Sequence, residues 1–355
     1  MKKTLIAVAA LSAMACSAMA AQVTLYGKID QALQVQHSKI TGQDSTTTWR
    51  GESGVSSGSR WGLKGTEEIA DGYTVGFVLE SKVDGMTGAG DSSRLFNRDA
   101  FLSLGTPFGQ FVVGRTGTLT DGYTGDIISG QASPFGTSYG IAASTKNTFS
   151  DHITRTDCAV RYVSPKFAGV QFHAEYANMT KSVKYEASKR TFAVGSTAST
   201  KKRYGGIGVS YANGPLYVAA TVETVRQAAE SELDNPSFYS LAANYDFGVV
   251  KAFAGFQHAR HAQAGSDFLG KYNGGTLGIS APISNGTLMA SVSYRKGETD
   301  ASDVDYKWMT AALGYKYNLS KRTYLYTNVA YGFEDKDSVG KTKTTQFHFG
   351  ACHNF

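Results

Sequence analysis

The chain has 355 residues, 41% of them hydrophobic and 18% charged, with 40 glycines, 20 tyrosines, 19 phenylalanines and only 6 prolines. Glycine spread evenly through a chain that is 12% aromatic excludes collagen-like, low-complexity and disordered classes. The formal charge of +6 comes with no basic block, which argues against a nucleic-acid face.

Residues 1–20 read as a secretory signal: Lys2 and Lys3, an apolar run from Thr4 to Met14, and Ala18-Met19-Ala20 as a small-x-small cleavage site. A lipoprotein signal ending at Cys16 is the competing reading, but Ala13 stands where leucine is usual. Cleavage after Ala20 leaves a mature domain of residues 21–355 with 33 Lys and Arg against 29 Asp and Glu, a charge of +4. Beyond residue 20 no run of 18 apolar residues exists to make a membrane-spanning helix. An exported chain of this kind is a soluble domain or an outer-membrane β-barrel.

From residue 22 onward the sequence alternates with period 2 in stretches of about ten residues. Trp61, Leu63 and Gly65 oppose Arg60, Lys64 and Thr66; Ala70-Asp71-Gly72 turns the chain; Tyr73, Val75, Phe77 and Leu79 follow on one face. Tight turns recur at Asn213-Gly214-Pro215, Phe247-Gly248, Ser284-Asn285-Gly286 and Leu319-Ser320-Lys321-Arg322. Long polar segments alternate with them at 37–56, 85–93, 117–153, 180–202, 227–236, 260–271, 299–305 and 334–343. The pattern predicts sixteen strands: 22–36, 57–69, 72–84, 94–106, 109–117, 154–164, 169–179, 203–213, 214–226, 237–247, 248–259, 272–282, 286–298, 306–318, 321–333 and 344–355.

Short turns at one end and long loops at the other are the asymmetry of an outer-membrane barrel, which satisfies every backbone polar group by closing on itself. At sixteen strands the interior is too wide for side chains to fill, so an aqueous channel remains. Tyrosines at strand ends, among them Tyr26, Tyr73, Tyr162, Tyr176, Tyr294 and Tyr331, suit interfacial girdles.

Several stretches resemble the general diffusion porins of Gram-negative outer membranes, most closely the β-proteobacterial branch. They are Val23-Thr24-Leu25-Tyr26-Gly27-Lys28-Ile29-Asp30, Ser59-Arg60-Trp61-Gly62-Leu63-Lys64-Gly65-Thr66-Glu67-Glu68, Leu95-Phe96-Asn97-Arg98 with Val113-Gly114-Arg115, Ala159 through Gly169, and the terminal Phe355. The resemblance implies an all-β, 16-stranded antiparallel barrel with an inward-folded third loop, passing small hydrophilic solutes and ions passively. It also implies a homotrimer in contact with outer-membrane lipid and lipopolysaccharide, and a C-terminal Phe355 read by the barrel-assembly machinery. The third loop is 117–153, with Ala132-Ser133-Pro134-Phe135-Gly136 where the family often has Pro-Glu-Phe-Gly-Gly; the glutamate is absent, which argues against a strongly cation-attracting constriction.

A selective pore needs fixed charges converging on its narrowest section. Parity places Lys28, Arg60, Lys64, Arg155, Asp157 and Arg161 on the polar face. Alternation sends Arg115 and Arg98 outward, where a charge at mid-depth costs about 2–4 kcal/mol; the resemblance places Arg115 on the pore wall, while Arg98 stays open as a wall or interface charge. The expected constriction sets Lys28, Arg60, Lys64, Arg115, Arg155 and Arg161 against loop carboxylates Asp121 and Asp126, with Asp151 near the loop exit and Pro134, Phe135 and Gly136 at its tip. Excess arginine predicts a preference for anions, and the same arginines can equally hold the loop by pairing with carboxylates.

His258 and His261 lack the Cys or carboxylate neighbours a metal site needs, and no Gly-x-Ser-x-Gly elbow supports a barrel enzyme. No cofactor and no catalytic residue is expected; a substrate-selective or enzymatic barrel is the rival to a general channel. Cys158 and Cys352 fall on opposite faces of distant strands and are expected to be free thiols.

Overall fold

The computed structural model describes residues 23–121, 126–143, 148–149, 153–179, 202–226, 235–264, 267–299, 305–336 and 340–355. The expected leader 1–20, Asp151 and His152 lie outside the described residues. The strands are β1 (Thr24–Ile40), β2 (Thr46–Ser53), β3 (Arg60–Ala70), β4 (Tyr73–Lys82), β5 (Ala100–Thr106), β6 (Gly109–Gly117), β7 (Arg155–Val163), β8 (Val170–Asn178) and β9 (Arg203–Asn213). They continue as β10 (Leu216–Arg226), β11 (Ser237–Asp246), β12 (Lys251–Ala264), β13 (Asp267–Ile283), β14 (Gly286–Thr299), β15 (Asp305–Asn318), β16 (Thr323–Lys336) and β17 (Gly340–Asn354).

From β3 to β17 each strand pairs antiparallel with the next in sequence, and β1 pairs with β17, β2 and β3, so the sheet closes. β1 runs opposite β3 from Thr24 to Lys28 and opposite β2 from Gln31 to Ser38, so β2 and β3 are two lengths of one barrel strand and the barrel has sixteen. The short link 54–59 between them is held by the buried Asp30 carboxylate, whose Oδ2 accepts from Ser56 N (2.7 Å), Ser57 N (2.7 Å) and Ser56 Oγ (2.8 Å), while Oδ1 accepts from Tyr326 OH (2.5 Å). Closure ends on the last residue: Phe355 N donates to Gly27 O at 3.0 Å and Gly27 N to Phe355 O at 3.1 Å.

Alternation sorts the two faces. Leu102, Phe172, Ile207 and Leu277 are among the side chains more than half exposed on the outside, an apolar surface that only lipid would solvate favourably. Inward positions such as Thr221, Ser240, Gln257, Thr276, Ser291 and Asn328 are polar and buried.

They are buried because the described parts of the third loop, residues 118–121, 126–143 and 148–149, lie on them. Ile127 accepts from Tyr217 on β10 (2.9 Å), Gln131 from Asn244 on β11 (3.1 Å), and Ile141 N donates to Gln346 on β17 (2.9 Å). Between these points the chain rides over glycines: a Cβ at Gly255 would fall 2.6 Å from Ala132, and one at Gly314 would fall 2.8 Å from Phe135. The root of the segment is fixed by Arg161, which donates from Nε to Glu175 Oε2 (2.8 Å) and from Nη2 to the Gly117 carbonyl, and by Glu223, which accepts from Thr120 and Tyr204.

Three expected loops are shorter than the sequence suggested. Residues 37–56, 260–271 and 334–343 are largely strand, because β1, β2, β12, β13, β16 and β17 stay in register well past the apolar band. Conversely the strand expected from 94 starts at Ala100; Asp91 accepts from Ser93 N (2.8 Å) and Arg94 N (3.1 Å) and holds a turn there instead. Cys158 and Cys352 are free, one exposed and the other buried.

Glu175→Ala should strand Arg161 beneath the loop root without its ion-pair partner, a loss of roughly 3–5 kcal/mol. Denaturant titration of the folded barrel measures this, and a midpoint equal to the parent's would remove Glu175 from the root.

Candidate functional site: the lumen constriction

Because loop 118–149 covers β8–β17 from the inside, the open part of the lumen is bounded by β1–β5 and the start of β7. A cavity of about 450 Å³ lies there between the loop backbone at Thr137–Gly140 and a wall carrying Arg50, Lys82, Arg98 and Arg155, with Gln34, Glu52, Gln346 and His348 completing it. Register explains the wall: Lys28 pairs with Arg60, Arg60 with Lys82, and paired residues share a face.

The cations are held in place by acids behind them. Glu80 accepts from Arg98 Nε, lies 3.2 Å from Arg60 Nε and accepts from Tyr26 OH at 3.1 Å. Asp99 lies 3.6 Å from Arg155. Glu80 and Asp99 are buried, whereas Arg50 and Lys82 are exposed to the lumen. Gln34, with its amide oxygen turned to Arg50 Nε (3.0 Å) and Nη2 (2.8 Å), donates to His348 Nε2 at 2.8 Å. Lys28 donates to Ser57 Oγ at 3.0 Å, and Lys64 stands nearer the turn end of the lumen, its ammonium 5.1 Å from the Tyr26 ring centroid.

Arg115 does not join this wall. It pairs with Ala100 and follows Val113 on the outward face, donating to Asp157 Oδ1 (2.6 Å) and to the Asn97 carbonyl (2.9 Å). A bulge between Gly114 and Thr116, with Cys158 at φ 52°, shifts β7 by one residue and turns Asp157 outward to meet Arg115 and Arg94. Segment 94–97 covers this cluster, Phe96 packing on outward-facing Trp61 at 6.2 Å. Simple alternation therefore gives the right side for Arg115 and the wrong one for Asp157. Arg98 turns inward to Glu80 because it precedes β5 and escapes strand parity.

Arg161 faces inward but is buried at the loop root, so its role is structural. The tip behaves likewise: Pro134 packs against Gly278, Phe135 against Gly314 and Tyr139, and Gly136 takes φ 54° in the turn between. The described loop carboxylates are engaged at the loop root, where the Arg155 guanidinium acts on Asp121. Asp126 accepts from Ile128 N (2.7 Å), Ser129 N (2.9 Å) and Gly130 N (2.7 Å); Asp121 is buried beside it, with Ser129 Oγ 2.9 Å from Asp126 Oδ2 and 3.4 Å from Asp121 Oδ1. Arg50 and Lys82 went unnoticed in the sequence because the first sat in an expected loop and the second at a strand end. The signal for Arg50 is the alternation of Thr47, Trp49 and Gly51 against Thr48, Arg50 and Glu52.

Burial and mutual repulsion raise the Asp121 carboxyl to about 7, and burial raises that of Asp126 to about 6. Both therefore keep protons in the folded protein at pH values where the unfolded chain has lost them. Their contribution to holding the loop root is full below about pH 4 and is lost as pH rises through 6 and 7. Amide exchange over residues 118–130, corrected for intrinsic rate, should be faster by more than about tenfold at pH 8 than at pH 5. Asp121→Asn should flatten this dependence, and equal protection at both pH values would contradict the coupling.

Sixteen antiparallel strands closed around a polar lumen, with an apolar exterior, define a transmembrane diffusion channel. Residues 7–338 match the family described as Gram-negative porin. The chain is 32% identical over 397 aligned positions to an outer membrane porin protein of Bordetella pertussis, covering all of both chains. It is 30% identical over 340 positions to outer membrane porin protein 32 of Delftia acidovorans, covering 95% of this chain and 91% of that one. A solved anion-selective porin from Comamonas acidovorans superposes with a TM-score of 0.69 at 25% identity, over 95% of this chain and 100% of that one. The chain belongs to the Gram-negative porins: it is an outer-membrane protein that forms a diffusion channel, and its relatives are channels rather than enzymes.

Proposed function

We propose that this channel prefers small hydrophilic anions, and that Arg50, Lys82, Arg98 and Arg155, backed by Arg60 and Lys28, set that preference at the constriction. The observation that carries the reading is the separation of charge. Cations line the open side of the lumen, while of the described loop carboxylates Asp121 is buried at the loop root and Asp126 is engaged by the backbone N–H groups of Ile128, Ser129 and Gly130. Arg50 pairs with Glu52, Arg98 with Glu80 and Arg155 with Asp99, so the field that the low-dielectric walls focus on the passage is that of the cations in excess over these acids, and it raises the local concentration of anions. Glu80 and Asp99 lie behind the guanidiniums and fix their positions without facing the solute. The Comamonas relative, an anion-selective porin by name, supports the same sign.

The resemblance to trimeric porins, with a trimer form of OmpT of Vibrio cholerae among the similar folds, supports a homotrimer. Residues 1–20 serve as a signal removed after Ala20, and Phe355, which zips the barrel shut against Gly27, is the signal read by the assembly machinery.

Arg50→Ala combined with Arg155→Ala should lower the anion-to-cation permeability ratio at least about twofold, read as the zero-current potential across a planar bilayer in a salt gradient. Arg115→Ala, on the outside of the wall, should leave that potential where it was. A shift with Arg115→Ala and none with the double variant would overturn the assignment.

A further inference from the structure

The barrel wall is interrupted between β2 and β3, and the interruption reaches into the lumen. Lys28 pairs with Arg60 and Gln31 with Ser53, so two residues of β1, Ile29 and Asp30, stand opposite the six of link 54–59. Six against two leaves residues that the sheet cannot hold. Gly54 takes φ 80°, where a Cβ would fall 2.9 Å from the Gly58 backbone, so the link doubles back on itself.

The Asp30 carboxylate holds that fold. In a paired strand successive N–H groups point to neighbours on opposite sides; here those of Ser56 and Ser57 both reach one oxygen, Asp30 Oδ2, at 2.7 Å. The Asp30 backbone is satisfied within the gap as well: its N–H donates to Ser59 Oγ at 3.0 Å, and its carbonyl accepts from Gly54 N at 2.9 Å. Asp30 is fully buried, so each of these partners stands in for water.

The folded link touches both sides of the passage. Ser57 Oγ accepts from Lys28 Nζ (3.0 Å), and the Gly58 carbonyl accepts from Arg60 Nη1 (3.1 Å). On the loop side, the Val55 carbonyl accepts from Tyr139 N at 2.6 Å, and the Tyr139 ring packs on that of Tyr326 at 5.5 Å. Tyr326 OH returns to Asp30 Oδ1 at 2.5 Å, which closes a ring of contacts from carboxylate to link to loop and back. Gly54, Val55 and Gly58 line the same cavity as Arg50 and Arg98.

We propose that Asp30 is a positioning residue for permeation: it folds link 54–59 into the lumen as a second jaw of the constriction, which braces the loop tip and aims Lys28 and Arg60. The proposal rests on the anion-preferring reading above and adds the group that holds its cations in place. Charge alone gives the opposite expectation, because an acid beside the passage weakens anion preference and its removal would strengthen it.

The test compares the full chain with its Asp30→Ala and Asp30→Asn variants in planar bilayers under a salt gradient. Both variants remove the same charge, but the Asn amide oxygen can still accept from the link while its nitrogen donates to Tyr326 OH. Asp30→Ala should lower the anion-to-cation permeability ratio and change single-channel conductance, each by at least about twofold. Asp30→Asn should hold conductance near the parent's and keep or raise the ratio. Equal shifts in the two variants would make Asp30 a charge and not a positioning group, and parent values of both quantities in a folded Asp30→Ala barrel would leave it a purely structural residue; either result overturns the proposal. If Asp30→Ala does not fold, Ser56→Ala combined with Tyr326→Phe removes two of the hydrogen bonds and leaves the carboxylate. That variant should move both quantities in the same direction, and parent values there overturn the proposal as well. A parent channel without anion preference would instead count against the reading above, and conductance would still decide the role of Asp30.

Discussion

Arg161 with Glu175, and Glu223 with Thr120 and Tyr204, anchor the start of a long polar loop to the inside of the barrel wall. A sixteen-stranded barrel leaves more interior than its side chains can fill, and in this chain the loop takes up that space along β8–β17. The ion pair is worth little as a source of net stability but costs several kcal/mol to break once buried, so it acts as a constraint on where the loop begins. Small residues on the wall, Gly255 and Gly314 among them, then let the loop backbone lie flat where a larger side chain would hold it off.

Placement of the loop decides the electrostatics. Its described carboxylates, Asp121 and Asp126, are engaged at the loop root, so the remaining opening meets Arg50, Lys82, Arg98 and Arg155. The acids that accompany those cations sit behind them and act as positioning groups. The outer surface separates charge along the barrel axis instead, with apolar side chains through the middle and cations gathered at the loop end. One basic region thus faces the lumen and the other lies on the outer face of the barrel.

Much of this was legible in the sequence. Period-2 alternation and the positions of Asp71-Gly72, Asn213-Gly214 and Asn285-Gly286 gave sixteen strands and the correct hairpin ends, because face sorting in a barrel depends on local parity alone. Parity also placed Lys28, Arg60 and Lys64 inward. It failed at Asp157, where a single inserted residue at Cys158 reverses the face, and at Arg98, which lies just outside a strand. The resemblance put Arg115 on the pore wall, whereas alternation along β6 keeps it on the outward face beside Asp157. The direction taken by loop 118–149 was not readable from parity, since it depends on long-range complementarity between Pro134, Phe135 and Ala132 and glycines more than a hundred residues away. The polar stretches beyond the membrane, such as Thr46–Ser53, read as loops because strands paired in water need no apolar face.

In the conducting channel the loop should rest on the far wall, with Ala132 against Gly255 and Phe135 against Gly314. Gly255→Leu combined with Gly314→Leu is the decisive measurement, because a side chain at either position would fill the space the loop occupies. In a barrel that still folds, the displaced loop should change single-channel conductance and ion preference by at least about twofold. Parent values of both in the folded double variant would contradict this placement.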